Sequence, residues 1–278
     1  MTAEYTESLR DRVILVTGGT RGLGREMALA LVEAGARVAI TGAGPSDAMH
    51  ETVARAQASV GAGRMFAVAA DVTRYEDCAR AVAEVCDRFG ALHVLINNAG
   101  IGMRIVSETF NVEPARFWKT DPGAWRAIVD TNVNGTFNMS RAAAPLMIEQ
   151  KFGKIINIST SDVTMVRSGY SPYGPSKAAV EAASRAWSQD LAGTGVDVNV
   201  YLPGGAADTE FMPGGKAADG GQLLPAAVMR RGILWLCSDA SNGQTGGRYV
   251  ARLWNESLPA EQAAAGARAP RVDKPAIM

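Results

Sequence analysis

Short apolar, β-branched runs alternate with longer stretches of helical periodicity from residue 12 to residue 250. Val13, Ile14, Leu15 and Val16 form an uninterrupted apolar run that ends in Thr17-Gly18-Gly19, which predicts a buried strand entering a turn. Residues 25–33 then place Met27, Ala28, Leu31 and Val32 at helical spacing, and Gly35 stops the helix. Further strands are predicted over 38–40, 65–69, 94–96, 154–158 and 196–200, with a helix over 77–89 before the fourth. Continuously apolar strands between amphipathic helices indicate a parallel sheet covered on both faces. The predicted fold is therefore α/β: a doubly wound, Rossmann-like parallel sheet in three α/β/α layers, built as a single domain. Ligands of such sheets collect at the carboxyl ends of the strands, where the strand order reverses.

The main domain is expected over residues 1–254. Within it, residues 102–120 read as an insertion holding Phe110, Pro114, Phe117 and Trp118 between a strand and a helix. These aromatics either cap a substrate pocket or pack against a second subunit, since loops at strand ends carry specificity. Residues 205–225 are glycine-rich and read as a mobile lid. The remainder, 255–278, reads as an Ala/Pro-rich tail with few core-forming residues, either disordered or lying across a neighbouring subunit.

Composition narrows the function classes. Lys+Arg and Asp+Glu both number 28, so there is no excess of positive charge for nucleic acid or an anionic membrane. No apolar stretch is long enough to span a bilayer and the N-terminus carries no signal-peptide pattern, so a cytoplasmic protein is expected. Cys78, Cys86 and Cys237 are too few and too scattered for a disulfide framework and read as small buried thiols. His50 and His93 lie far apart and near no carboxylate cluster, so no metal site is expected.

Candidate chemistry begins at Thr17-Gly18-Gly19-Thr20-Arg21-Gly22-Leu23-Gly24, between the first strand and the first helix. Glycines there let the backbone approach a pyrophosphate, whose charge meets the helix N-terminus. Downstream stand Asn97-Asn98-Ala99-Gly100 after the fourth strand, Tyr173-Gly174-Pro175-Ser176-Lys177, and Pro203-Gly204 after the sixth strand. The glycine spacing and these three motifs, in this order, resemble the short-chain dehydrogenase/reductase family over about residues 10 to 250.

Tyr173 and Lys177, four apart, share one helix face, and an ammonium beside a phenol lowers the phenol's pKa. Taken alone such a pair is an ordinary solvated helix face. The resemblance implies instead that Tyr173 exchanges the proton and that Lys177 also holds the nicotinamide ribose. It implies as well that Asn132 positions a proton-relay water; the plainer reading of Asn132 is a helix kink. Pro175 fits only if Tyr173 opens its helix. The family's serine, thirteen residues before the tyrosine, falls here on Thr160, and a one-residue slip offers Ser161, so both stay open.

The resemblance also implies that Gly18, Thr20, Arg21, Gly22, Leu23, Gly24, Asn98, Ala99, Gly100, Pro203 and Gly204 line a dinucleotide. Asp71 and Val72 would contact its adenine, although Asp71 with Thr73 also reads as a helix N-cap. Thr209 would hold the nicotinamide amide. The acid that binds a ribose 2′-hydroxyl is replaced by Gly42, and Arg21 stands ready for a 2′-phosphate, which favours NADP with NAD still possible.

The expected function is an NAD(P)-dependent oxidoreductase that interconverts an alcohol and a carbonyl on a small-molecule substrate. A homodimer or homotetramer is expected. The competing class is a non-catalytic dinucleotide-binding regulator or structural subunit, since fold does not fix function.

Overall fold

The computed structural model describes residues 6–215, 217 and 221–270. A short helix α1 (Thr6–Leu9) leads into β1 (Val13–Val16), α2 (Gly22–Glu33), β2 (Arg37–Gly42), α3 (Asp47–Val60), β3 (Met65–Ala69), α4 (Tyr75–Phe89) and β4 (Val94–Asn97). After the insertion come α5 (Pro122–Val129), a π turn (Asp130–Asn134), α6 (Gly135–Glu149), β5 (Gly153–Ile158), α7 (Asp162–Val166), α8 (Tyr173–Asp190) and β6 (Val196–Leu202). The described chain closes with α9 (Arg230–Cys237), β7 (Arg248–Val250) and α10 (Ala260–Ala267).

The seven strands form one parallel sheet in the order β3-β2-β1-β4-β5-β6-β7. Strand side chains alternate faces, so the sheet divides the interior into two cores. Ile14, Val16, Val38, Ile40 and Ile96 pack on one side with the apolar face of α2 and with α9. Val13, Leu15, Ala39 and Leu95 pack on the other with Cys78, Ala81 and Val85 of α4 and Met139, Ala143 and Met147 of α6. Both faces are thus dry, as the continuous apolar runs require. Strand order reverses between β1 and β4, which sets the loops after them side by side at the sheet's carboxyl edge.

Two features differ from expectation. β7 has three residues, too short to show a period, and takes its place by pairing Val200, Tyr201 and Leu202 with Arg248, Tyr249 and Val250. The tail up to residue 270 belongs to the domain. Alanine is the strongest helix former, and Ala260, Ala263, Ala264 and Ala267 recur on one face of α10, all buried. Ala260 and Ala264 join the core that holds Trp235 and Tyr249, and Ala269 N donates to Arg248 O at 2.7 Å. A side chain with no bulk lets this helix approach closely, which an apolar-residue count overlooks. Residues 271–278 lie outside the described ones. Among the described residues no helix is long and apolar enough to cross a membrane.

Because Ala264 is 2% exposed, Ala264→Leu should overpack the α10 contact. The expected loss is about 1–3 kcal/mol in urea unfolding; unchanged stability would mean that α10 is not docked in solution.

Candidate active site

The loop after β1 is fastened to the loop after β4. Thr17 Oγ1 accepts from the backbone N–H groups of Asn98 (3.0 Å) and Ala99 (2.9 Å). In return Asn98 Nδ2 donates to the carbonyls of Thr17 (3.0 Å) and Gly18 (2.9 Å). The loop folds so closely that a Cβ on Gly24 would stand 2.3 Å from Gly18 O, and Gly18 itself has φ +62°. Thr20 lies against Gly42, and its carbonyl accepts from Thr52 Oγ1. Leu23 packs on the core, so only its backbone is free to face a ligand.

At the N-terminus of the twelve-residue α2 no side chain caps the helix and no acid occupies the first turn. Its first N–H groups and positive dipole end are therefore left for an anion. Glycine backbone, an uncapped helix and Thr209 beside Gly22 fit a dinucleotide pyrophosphate. Arg21, at the turn, forms an exposed ion pair with Glu210. Gly42 ends β2 as expected and pairs with Ala69, with no carboxylate at that position. Asp71 accepts from Thr73 N and Thr73 Oγ1, so it closes its own turn, whereas α4 begins only at Tyr75. Val72 is buried against Gly135. Pro203 O accepts from Arg252 N, and a Cβ on Gly204 would meet Val250 at 2.5 Å.

Tyr173, Lys177, Thr160 and Asn132 converge at the carboxyl edge of β5. Tyr173 opens α8, so Pro175 sits in the first turn, where its missing N–H costs nothing. The Thr160 side chain is set against the Tyr173 phenol. Ser161 takes a different place: its Oγ caps α7 by accepting from Thr164 N and pairs with Thr164 Oγ1 at 2.8 Å. Lys177 is 5% exposed, and Nζ donates to Ile158 O at 2.9 Å. A Cβ on Gly100 would lie 3.1 Å from Asn132 Oδ1 and 3.6 Å from Lys177 Nζ, so this glycine faces both.

Asn132 is buried in the π turn between α5 and α6. Its carboxamide accepts from Ile101 N and donates to Ile101 O and Ser176 Oγ, tying the β4 loop to α8.

Burial sets the charges here. It pushes the Tyr173 phenol up to about 12, with the Thr160 hydrogen bond opposing, and it brings Lys177 down to about 8, with Glu181 opposing. The expected lowering of Tyr173 by Lys177 is corrected: the ammonium is itself desolvated and spends a hydrogen bond on Ile158, so the phenol keeps its proton.

The insertion roofs this group. Met103, Phe110, Ile128 and Tyr170 form a small core, against which Tyr173 and Met212 pack. Phe117 and Trp118 instead point outward, 67% and 66% exposed, so the insertion's aromatics divide between cap and outer surface. Phe211, from the 205–225 segment, covers Gly102 and meets the Tyr173 ring edge-on at 6.1 Å. That segment's base is closed by Asp208 N to Leu224 O and Leu224 N to Ala206 O, both 2.8 Å.

Sequence reasoning left three contributors unassigned. Thr17 stood in the glycine motif without a role. Glu181, one turn after Lys177, and Arg248 on β7 form an ion pair beside Thr160. The four-residue offset from Lys177 was the one available signal for Glu181.

A profile of the short chain dehydrogenase family matches residues 12–217. The chain is 35% identical over 194 residues to acetoacetyl-CoA reductase from Shinella zoogloeoides, covering 70% of this chain and 73% of that one. It is 34% identical over 197 residues to 3-oxoacyl-[acyl-carrier-protein] reductase from Synechocystis sp., covering 71% and 75%. Among solved structures, 3-ketoacyl-(acyl-carrier-protein) reductase from Brucella melitensis, complexed with NADH, superimposes with a TM-score of 0.72 at 26% identity, over 87% of this chain and 96% of that one.

Asn98→Ala would leave the Thr17 and Gly18 carbonyls without these donors. A stability loss of about 1–3 kcal/mol by urea unfolding is expected, and an unaltered midpoint would show that the loop holds itself.

Proposed function

The chain belongs to the short-chain dehydrogenase/reductase family and is an NAD(P)-dependent oxidoreductase acting on carbonyl and CH–OH groups, and we propose that it reduces a carbonyl with Tyr173 as general acid and NADPH as preferred cofactor. The observation that carries this reading is the Thr160–Tyr173–Lys177 group, anchored by a buried Lys177, beside an uncapped helix N-terminus. Relatives named as reductases favour the enzyme over the non-catalytic alternative.

When bound, the nicotinamide supplies or accepts the hydride. The α2 N-terminus with Gly18, Thr20, Arg21, Gly22, Leu23 and Gly24 would hold its pyrophosphate, and Asn98, Ala99, Gly100, Pro203, Gly204, Thr209 and Lys177 its nicotinamide half. Asp71 and Val72 would border the adenine. At neutral pH the Tyr173 phenol carries its proton and can give it to a carbonyl oxygen, which suits the reductive direction. The Thr160 hydroxyl, next to the phenol, would donate to the same oxygen; Ser161 is committed to its cap. Lys177 holds positive charge near the oxygen as the proton leaves Tyr173. Asn132, held between Ile101 and Ser176, would serve the relay.

NADPH is preferred on two grounds. Gly42 presents no carboxylate to a 2′-phosphate, and Arg21 has only an exposed pairing with Glu210 to give up. Exposed Trp125, Phe137 and Ile148 support assembly of identical subunits, and three unpaired cysteines suit a reducing cytoplasm.

The test follows nicotinamide absorbance with NADPH and NADH against carbonyl substrates, beginning with acetoacetyl-CoA, the compound for which one relative is named. Tyr173→Phe should lower turnover by about 10²–10⁴-fold while cofactor affinity persists; normal turnover in that variant would sink the assignment. A second expectation concerns pH. Lys177 is charged below its pKa, so activity should hold below pH about 8 and fall as pH rises through it. Glu181→Gln removes the charge that raises Lys177 and should move that fall to lower pH in a kcat–pH profile.

A further inference from the structure

Arg248, on the last strand, stands in one cross-strand row with Val200 of β6 and Asn157 of β5. Its guanidinium faces three acceptors. Nε lies 3.0 and 2.9 Å from the two carboxylate oxygens of Glu181. Nη2 donates to Thr160 O at 3.0 Å and pairs with Asp162 Oδ1 at 2.7 Å. The Arg248 and Glu181 side chains are about four-fifths buried, at 21% and 20% exposed, whereas Asp162 is 82% exposed. This pair is therefore held in a drier setting than an ordinary surface bridge.

Both buried ends of the clamp lead to the reacting group. Thr160 carries the hydroxyl that meets Tyr173, and Glu181 follows Lys177 by one turn of α8. Ser159 N still pairs with Tyr201 O and Ser161 caps α7, so Thr160 is the link between sheet and helix. Arg248 supplies that link's fastening to the neighbouring strand.

We propose that Arg248 is a positioning residue for the reaction: by gripping the Thr160 carbonyl and the Glu181 carboxylate together, it holds the Thr160 hydroxyl and the Lys177 turn of α8 in register on Tyr173. A guanidinium suits this task because its planar fork binds a carboxylate and keeps a further N–H for the carbonyl, which an ammonium on a flexible stem does not reproduce. The assignment rests on Tyr173 and Thr160 acting as proposed above.

The experiment measures kcat, KM and NADPH affinity (by fluorescence titration) for Arg248→Lys, Arg248→Ala, Thr160→Ala and the Thr160→Ala/Arg248→Ala double variant. Arg248→Ala should lose at least about tenfold in kcat, since small misplacement of a catalytic group is costly, with NADPH affinity unchanged and Arg248→Lys intermediate. The double variant should lose less than the two single variants' losses combined, because coupled residues are not additive. Additive losses, a kcat unchanged in both Arg248 variants, or an NADPH affinity that falls in step with kcat would overturn the proposal. Should Arg248→Ala fail to fold, Arg248→Lys replaces it in the same cycle. Normal turnover by Tyr173→Phe would remove the catalytic reading itself; an inactive Tyr173→Phe beside a fully active Arg248→Lys removes only the positioning role.

Discussion

The loops carrying Thr17-Gly18 and Asn98-Ala99 exchange four hydrogen bonds across the point where strand order reverses. A parallel sheet leaves a crevice at such a point, because the chains leaving β1 and β4 diverge to opposite faces. Left open, that crevice would bury unpaired carbonyls of a glycine loop. Asn98 satisfies them from within the protein and leaves the N–H groups of α2 pointing outward. What this end of α2 offers to an anion is therefore backbone N–H groups, set free because the loop's own acceptors are satisfied by Asn98.

The same accounting governs the reacting group. Lys154, at the other end of β5, shows what burial alone does: it too is desolvated and lowered to about 8. Its Nζ donates to Ser238 O and Ser241 Oγ, a setting that tethers α9's end to the sheet. Lys177 differs in its neighbours, not in its shift. It faces Gly100 across an open backbone position, and a phenol and a hydroxyl stand in the same pocket. A perturbed lysine becomes informative only when reactive groups share its space.

Most of this was legible from the chain because each element carried a strong local signal. Fully apolar runs specified the inner strands β1, β2 and β4, and Gly18, Gly24 and Pro175 stood where only a tight loop or a first helical turn accommodates them. Legibility ended where the determining contact was distant or unspectacular in composition. β7 is ordered by β6, α10 by the smallness of four alanines, and Arg248 by acceptors 67 and 88 residues away. The choice between Thr160 and Ser161 had the same character: register made them neighbours, and the cap on Thr164 separates them. The inference that Lys177 lowers Tyr173 failed for a related reason, since spacing along a helix says nothing of how dry the pair becomes.

The described part of the 205–225 segment touches both halves of the candidate site by contacts of unequal strength. Glu210 meets Arg21 through exposed side chains, a pairing worth about 0–1 kcal/mol in such settings. Its backbone carbonyl also accepts from Arg104 Nη1 at 2.8 Å, and Asn111 Nδ2 reaches Pro213 O at 3.1 Å, both from the insertion. Next to them Phe211 and Met212 lay apolar surface over Gly102 and the roof core. Parting Glu210 from Arg21 thus breaks a weak ion pair, whereas parting Phe211 and Met212 from the roof core exposes aromatic and thioether surface at roughly 25 cal/mol per Å². The Arg21 end is consequently the more weakly held of the two, and the apolar contact of Phe211 with Gly102 and the Tyr173 ring is what seats the segment on the 102–120 loop.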